Sequence, residues 1–120
     1  MQKLIIAGNV GRDAEIKANN VTQELFATFS VAVNSGTKDN QKTDWFEVVC
    51  SEKHVDLAKN FIKKGTSVIV EGKPRATGWQ DKDGVIRTKL VCNATFIELT
   101  GRPSEEQQIA SDEETETPAL

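Results

Sequence analysis

The sequence predicts an all-β domain of about five strands closed into a barrel, with one helix between the third and fourth strands. Three observations predict this fold class. Residues 24–34 alternate between apolar and polar side chains, as a half-buried strand does. Residues 52–64 are the one stretch in which apolar side chains recur with a helical period. The other apolar runs are short and separated by polar, glycine-containing turns, a spacing typical of a barrel.

The first half of the chain predicts two strands and two loops. Residues 3–12 begin as a strand, and the polar residues 13–23 predict a loop. The strand at 24–34 carries its apolar face on alternate residues, namely Leu25, Ala27, Phe29, Val31 and Val33. Residues 35–43 have the composition of a second loop.

A third strand and the helix follow these two loops. Residues 44–50 alternate again and predict the strand. Residues 52–64 predict the helix, for which Ser51 suits the N-cap and Lys63-Lys64-Gly65 a C-terminal stop.

The remaining apolar runs complete the barrel. Residues 66–72 predict a strand, and residues 75–81 and 85–92 predict a hairpin around Lys82-Asp83-Gly84. A three-residue loop ending in glycine suits a type I turn with a bulge. Residues 94–100 predict the last strand. Strands in this number and order, with a helix after the third, are those of an OB-fold, a five-stranded Greek-key barrel.

Charge divides the chain into two parts. Residues 1–103 contain 15 basic and 12 acidic side chains, a net charge of +3, whereas residues 104–120 contain six acidic side chains and no basic one. We therefore expect a folded domain over 1–103 and a disordered acidic tail over 104–120. A basic body suggests a polyanionic partner. Composition alone leaves open that the tail only improves the solubility of an ordinary domain.

The sequence offers little for catalysis or for a metal. His54 is the one histidine, and no common nucleophile, phosphate-loop or metalloprotease motif is present. We expect no catalytic residue, no metal site, no cofactor and no enzymatic activity. Cys50 and Cys92 are expected to be reduced core thiols. No apolar run long enough to cross a membrane and no signal peptide are seen, so we expect a cytoplasmic protein.

The two tryptophans are the most informative residues for binding. If Phe46 and Val48 point into the core, alternation turns Trp45 and Glu47 outward. Tryptophan is usually well buried, so an ordinary core role for Trp45 stays open at this point.

The predicted hairpin makes a stronger case for Trp79. Its loop sets Trp79 opposite Arg87 and Thr77 opposite Lys89, so one face of the hairpin collects Arg75, Trp79, Arg87 and Lys89. An exposed aromatic ring among cations suits single-stranded nucleic acid, because unpaired bases stack on the ring and phosphates pair with the cations. Arg87 could also form a cation–π contact with Trp79 when no DNA is bound.

The residues resemble those of the bacterial single-stranded DNA-binding protein family over about Lys3 to Leu99. The segments that carry the resemblance follow one another at the family's spacing: Lys3 to Asp13, Phe29 to Val33, Thr43 to Val49, Lys64-Gly65, Val68 to Gly72, Arg75, Trp79 and Asp83-Gly84. The resemblance implies an OB-fold, a homotetramer, and sequence-independent binding that protects single-stranded DNA in replication, recombination and repair. It places Trp45 and Trp79 at stacking positions. It also places basic residues on the DNA path, namely Lys53, Lys64, Arg75 and Arg87.

Three features depart from the family's pattern. Residues 35–43 contain no aromatic, Ser51 stands where relatives often have phenylalanine, and the chain ends in Pro118-Ala119-Leu120 without the usual phenylalanine. The chain is therefore expected to stack fewer bases and to depend more on charge. Recruitment of replication and repair proteins through the acidic tail stays in doubt. Two other functions stay open: a primosome-type OB-fold that mainly holds other proteins, and a nuclease.

Overall fold

The computed structural model describes residues 1–101, which form six strands and one short helix. The predicted tail at 104–120 and the domain boundary at 103 lie outside these residues. In chain order the elements are β1 (Leu4–Val10), β2 (Glu15–Ala18), β3 (Leu25–Thr37), β4 (Asn40–Cys50), a 3-10 turn (Glu52–His54), α1 (Val55–Phe61), β5 (Ser67–Gln80) and β6 (Ile86–Gly101).

Five of the strands close into a ring, and this confirms the predicted OB-fold. The strands lie in the order β1-β5-β6-β4-β3, and β1 pairs with β3 through Asn9 opposite Ala32 and Val10 opposite Val31. The pairing of β4 with β6 is parallel, and the other pairings are antiparallel. β2 adds to β3 outside the ring. The helix follows β4 and precedes β5, which are the third and fourth strands of the barrel.

The core is made by the inward faces of the barrel strands. Phe29, Val31, Val48 and Val70 are completely inaccessible to solvent, and Ile62 joins them from the segment after α1. Val33 and Leu25, at the two ends of the predicted apolar face of β3, are less buried because β3 runs beyond the barrel.

Both cysteines lie in this core as free thiols, as the sequence predicted. Desolvation raises the pKa of Cys50 to about 11 and also raises the pKa of Cys92. No helix among residues 1–101 is both long enough and apolar enough to cross a membrane.

The two predicted loops were wrong. The stretch 13–23 contains β2, and the stretch 35–43 belongs largely to β3 and β4, which pair as far as Thr37 opposite Asn40. These strands form a two-stranded ribbon outside the barrel. Both faces of the ribbon are solvated, so its composition is polar even though its backbone is fully paired. Composition therefore reported exposure and not a turn.

The helix is shorter than the predicted 52–64. A 3-10 turn precedes it, Ser51 makes no side-chain cap, and Ile62 is already extended at φ −91° and ψ 93°. The helix ends early because Ile62 must turn into the core, where it is fully buried. Gly65 then reverses the chain at φ 92°.

The strands predicted at 66–72 and 75–81 are one continuous strand, β5, as are those at 85–92 and 94–100, which form β6. The β5–β6 register shifts between Glu71 and Gly72, so a β-bulge bends the pair around the barrel. Gly72 is buried, and a Cβ there would run into the carbonyl oxygen of Asn93. The bend therefore requires glycine at this position.

Gly72→Ala is expected to lower the free energy of unfolding by about 1–3 kcal/mol, because the new methyl group has no space. Gly78→Ala on the same strand is the matched control. Its Cβ would have no neighbour nearer than 3.5 Å, so stability should hold or rise by up to about 1 kcal/mol. Urea unfolding followed by far-ultraviolet circular dichroism measures both. Equal losses for the two variants would contradict the role given to the bulge.

Candidate nucleic-acid interface

The outer face of β4, β6 and β5 carries both tryptophans. Strand alternation turns Val48 and Cys92 inward, and it turns Trp45 and Trp79 to the opposite side. Trp45 is 57% exposed and Trp79 is 48% exposed. The core alternative for the two rings is therefore wrong.

The strand register brings the cations onto the same face. Trp79 lies opposite Arg87, and Thr77 lies opposite Lys89, as the hairpin loop predicted. Arg75 lies opposite Val91, which in turn pairs with Glu47 of β4. Paired residues share a face, so Trp45, two residues before Glu47, lies on the same surface as the hairpin cations.

We call this surface the indole face; it consists of Trp45, Glu47, Arg75, Thr77, Trp79, Arg87, Lys89 and Val91. Trp45 on β4 and Trp79 on β5 flank the central strand β6, which places them about 10 Å apart across the sheet. Arg75, Arg87 and Lys89 are exposed. Two flat rings and three cations thus point to one side of the barrel.

Arg87 is held by the tip of the hairpin. Its Nε donates to Oδ2 of Asp81 at 3.0 Å, while Oδ1 of Asp81 accepts the backbone N–H groups of Asp83 and Val85 at 2.9 Å each. The Val85 N–H, followed by Arg87, lowers the pKa of Asp81. The sequence suggested a contact between Arg87 and Trp79, whereas the polar contact that the structure gives Arg87 is this ion pair, which fixes the hairpin loop.

The turn between β1 and β2 supports Trp45 from below. A Cβ placed on Gly11 would lie 2.5 Å from Cζ3 and 2.9 Å from Cη2 of the indole. The ring therefore rests on bare backbone. Gly11 also donates its N–H to the carbonyl oxygen of Ser30 at 2.9 Å, which fixes the turn against β3.

The same turn contacts the residue next to Trp45 on the indole face. Nη2 of Arg12 lies 3.1 Å from Oε2 and 3.5 Å from Oε1 of Glu47. The Arg12 side chain is 39% exposed and that of Glu47 is 21% exposed. One cation thus neutralises the carboxylate that lies beside the indole.

The two remaining predicted cations do not lie on the indole face. The backbone N–H of Lys64 donates to Oδ1 of Asp13 at 2.9 Å, which ties Lys64 to the β1–β2 turn. Lys53 lies in the 3-10 turn that follows β4. Both side chains are exposed. The structure therefore brings together five of the seven predicted residues, holds Lys64 at the neighbouring turn, and leaves Lys53 on a separate segment.

A groove of about 390 Å³ continues this side of the sheet beyond Glu47. Its lining includes Phe26, Val49, Ser51 and Asn93. Ser51, the residue that stands in place of the family's usual phenylalanine, lies at this groove. Within residues 1–101 no three His, Cys, Asp or Glu side chains come close enough to hold a metal ion.

Sequence reasoning missed the part that the β1–β2 turn has in this surface. The sequence places Gly11 and Arg12 only in a glycine-containing turn after the first strand. The contacts that matter join them to Trp45 and Glu47, and Arg12 and Glu47 lie 35 positions apart in the chain. No local pattern encodes such a pair, so only the resemblance of the turn to the family's first segment pointed there.

Comparisons with known proteins agree on the family. Residues 1–100 match the Single-strand binding protein family. Single-stranded DNA-binding protein 2 of Nostoc sp. (strain PCC 7120) is 27% identical over 121 residues, which cover 100% of this chain and 94% of the relative. Single-stranded DNA-binding protein 1 of Synechocystis sp. (strain PCC 6803) is 31% identical over 98 residues and 80% of each chain.

Solved structures share the fold. A Plasmodium falciparum SSB complex with single-stranded DNA superposes with a TM-score of 0.65 at 28% identity, covering 82% of this chain and 92% of that one. The small single-stranded DNA-binding protein of Streptomyces coelicolor superposes with a TM-score of 0.68 at 19% identity, covering 81% of this chain and 92% of that one. The second likeness is evidence for the fold alone.

Gly11→Ala is expected to push the Trp45 indole off the turn while the barrel stays folded, because the exposed ring can move away from the new methyl group. In a Trp79→Phe background Trp45 is the single tryptophan, so its fluorescence reports the ring directly. We expect a shifted emission maximum and stronger quenching by acrylamide. Gly78→Ala in the same background should leave both unchanged. Identical spectra for Gly11→Ala and its parent would contradict the contact.

Proposed function

This chain belongs to the single-strand binding protein family and binds single-stranded DNA, and we propose that it does so along the indole face. Bases stack on Trp45 and Trp79, and the intervening phosphates pair with Arg75, Arg87 and Lys89. Lys64, at the neighbouring turn, and Lys53 extend the path beyond this face.

One observation carries the proposal: two exposed indoles stand on either side of β6 among three cations. Stacking is worth about 1–3 kcal/mol per base and accepts every base, because all bases have a π-face. Each phosphate contact adds counterion release, which also ignores sequence. A duplex keeps its bases stacked inside, so this surface favours unpaired strands. The geometry thus suits binding without sequence preference.

Proteins of this family protect single-stranded DNA in replication, recombination and repair, and we place this chain in the same role as a binder that performs no catalysis. A DNA substrate also fits the cytoplasmic, nucleoid-associated location expected from the sequence. Partners recruited through residues 104–120 are a further expectation, and those residues lie outside the described part of the chain.

Self-association into a homotetramer is part of the proposal. One barrel covers about 4–16 nucleotides, and joining barrels raises the affinity without new kinds of contact. A second wall of the barrel supports it. Ile5 and Phe96 are 61% and 49% exposed and lie on either side of Glu71 in adjacent strands. Their exposed apolar surface suits contact with another copy of the chain.

Titration of the protein with oligo-dT, followed by tryptophan fluorescence, tests the proposal. We expect strong quenching that weakens as salt is added, because stacking quenches the indoles and salt competes with the cations. Trp79→Ala should weaken binding by about 1–3 kcal/mol, or roughly 5-fold to 150-fold in Kd, without unfolding the domain. Phe61→Ala is the matched control, since Phe61 is 58% exposed on the helix and away from the indole face.

Three outcomes would contradict the proposal. Absence of quenching would favour a primosome-type module that mainly holds other proteins. Equal losses for Trp79→Ala and Phe61→Ala would place the DNA elsewhere. Shortening of the labelled oligonucleotide on a gel, with or without magnesium, would indicate a nuclease.

A further inference from the structure

The indole face contains a carboxylate next to a stacking ring. Glu47 shares a strand face with Trp45 and pairs with Val91, beyond which Arg75 lies on β5. A DNA strand that stacks on Trp45 and reaches Arg75 passes this side chain. An uncompensated carboxylate at that point would repel the phosphates that the neighbouring cations attract.

Arg12 removes this conflict. Its Nη2 lies within 3.5 Å of both carboxylate oxygens of Glu47, so the charge is neutralised and the side chain is held toward the β1–β2 turn. With 21% of its side chain exposed, Glu47 is partly covered, which strengthens the ion pair relative to a fully solvated one. Gly11, one residue earlier, supports the Trp45 ring. The turn therefore acts on two neighbouring residues of the face.

We propose that Arg12 is a positioning residue for DNA binding, which keeps the indole face open to phosphate by holding and neutralising Glu47. This inference rests on the proposed DNA path over the indole face. Arg12 acts through Glu47 and does not itself have to touch the DNA. The role belongs to this chain's own pair of residues, and the rest of the face works only while the pair is intact.

A direct phosphate contact by Arg12, or a dependence of binding on net charge alone, would respond differently to second substitutions. If Arg12 contacts a phosphate directly, its loss cannot be repaired by changing Glu47. If only the net charge of the domain matters, removing any acidic side chain should repair it. The ion pair between Lys3 and Glu71, with Nζ and Oε2 3.1 Å apart, lies on a different wall of the barrel and supplies the matched acidic side chain.

The experiment compares four proteins by oligo-dT titration: the wild type, Arg12→Gln, Arg12→Gln/Glu47→Gln and Arg12→Gln/Glu71→Gln. We expect Arg12→Gln to bind about 5-fold to 10-fold more weakly, the loss that one uncompensated charge near a phosphate causes in water. The Glu47→Gln double variant should return to within about 2-fold of the wild type, because no carboxylate is left to neutralise. The Glu71→Gln double variant should stay weak, although its net charge is the same.

Salt supplies a second readout that a purely structural role would not move. Repulsion from a free carboxylate is screened, so the deficit of Arg12→Gln relative to the wild type should shrink between about 50 mM and about 500 mM NaCl. Thermal unfolding of each variant checks that the fold is kept. A midpoint that falls for Arg12→Gln and recovers only with Glu47→Gln, together with a salt-independent deficit, would reduce the pair to a stabilising contact and overturn the proposal.

The remaining outcomes are equally decisive. Wild-type affinity of Arg12→Gln, or failure of Glu47→Gln to restore binding, overturns the proposal. Recovery by Glu71→Gln overturns it in favour of net charge. Each of these leaves the proposed function standing as long as the wild type is quenched and Trp79→Ala binds weakly. If the wild type itself shows no quenching, the proposed function fails first.

Discussion

Closure of β1 onto β3 is the constraint on which the rest of this structure depends. Once the ring of five strands is closed, each strand has one inner and one outer face, and the apolar residues must occupy the inner one. Phe29, Val48 and Val70 fill the interior. Their neighbours are turned outward by alternation. Two tryptophans can therefore be exposed without loss to the core, and the energy that holds the barrel together is separate from the surface that binds DNA.

The second requirement is that the exposed rings be held in place. Side chains on an open sheet surface ordinarily change rotamer freely, and a stacking surface is better when it is preorganised. Here a turn of the chain is folded back under Trp45 and beside Glu47, while the loop at the hairpin tip fixes Arg87 through Asp81. Both devices lie at the rims of the sheet, where chain reversals occur. The binding face thus combines a rigid sheet with turns that orient its side chains.

The parts that sequence predicted well are those with a local origin. The alternation of β3 and β4, the three-residue loop, and hence the pairing of Trp79 with Arg87 all follow from spacing along a few residues. The parts that it missed have a nonlocal origin. The polar ribbon at 35–43 pairs only because two strands already lie side by side, and Ile62 ends the helix because the core needs a side chain there. The support of Trp45 by Gly11 depends on the closed ring and leaves no local pattern.

Cross-linking gives the most direct test of the claim that DNA runs over the indole face. The protein is irradiated with a single-stranded oligonucleotide that carries 5-bromodeoxyuridine, and the cross-linked residues are identified by mass spectrometry of the peptides. Adducts are expected to concentrate on Trp45 and Trp79. Adducts confined to exposed aromatics elsewhere, such as Phe61 on the helix or Phe96 on the opposite wall, with both tryptophans unmodified, would contradict this DNA path.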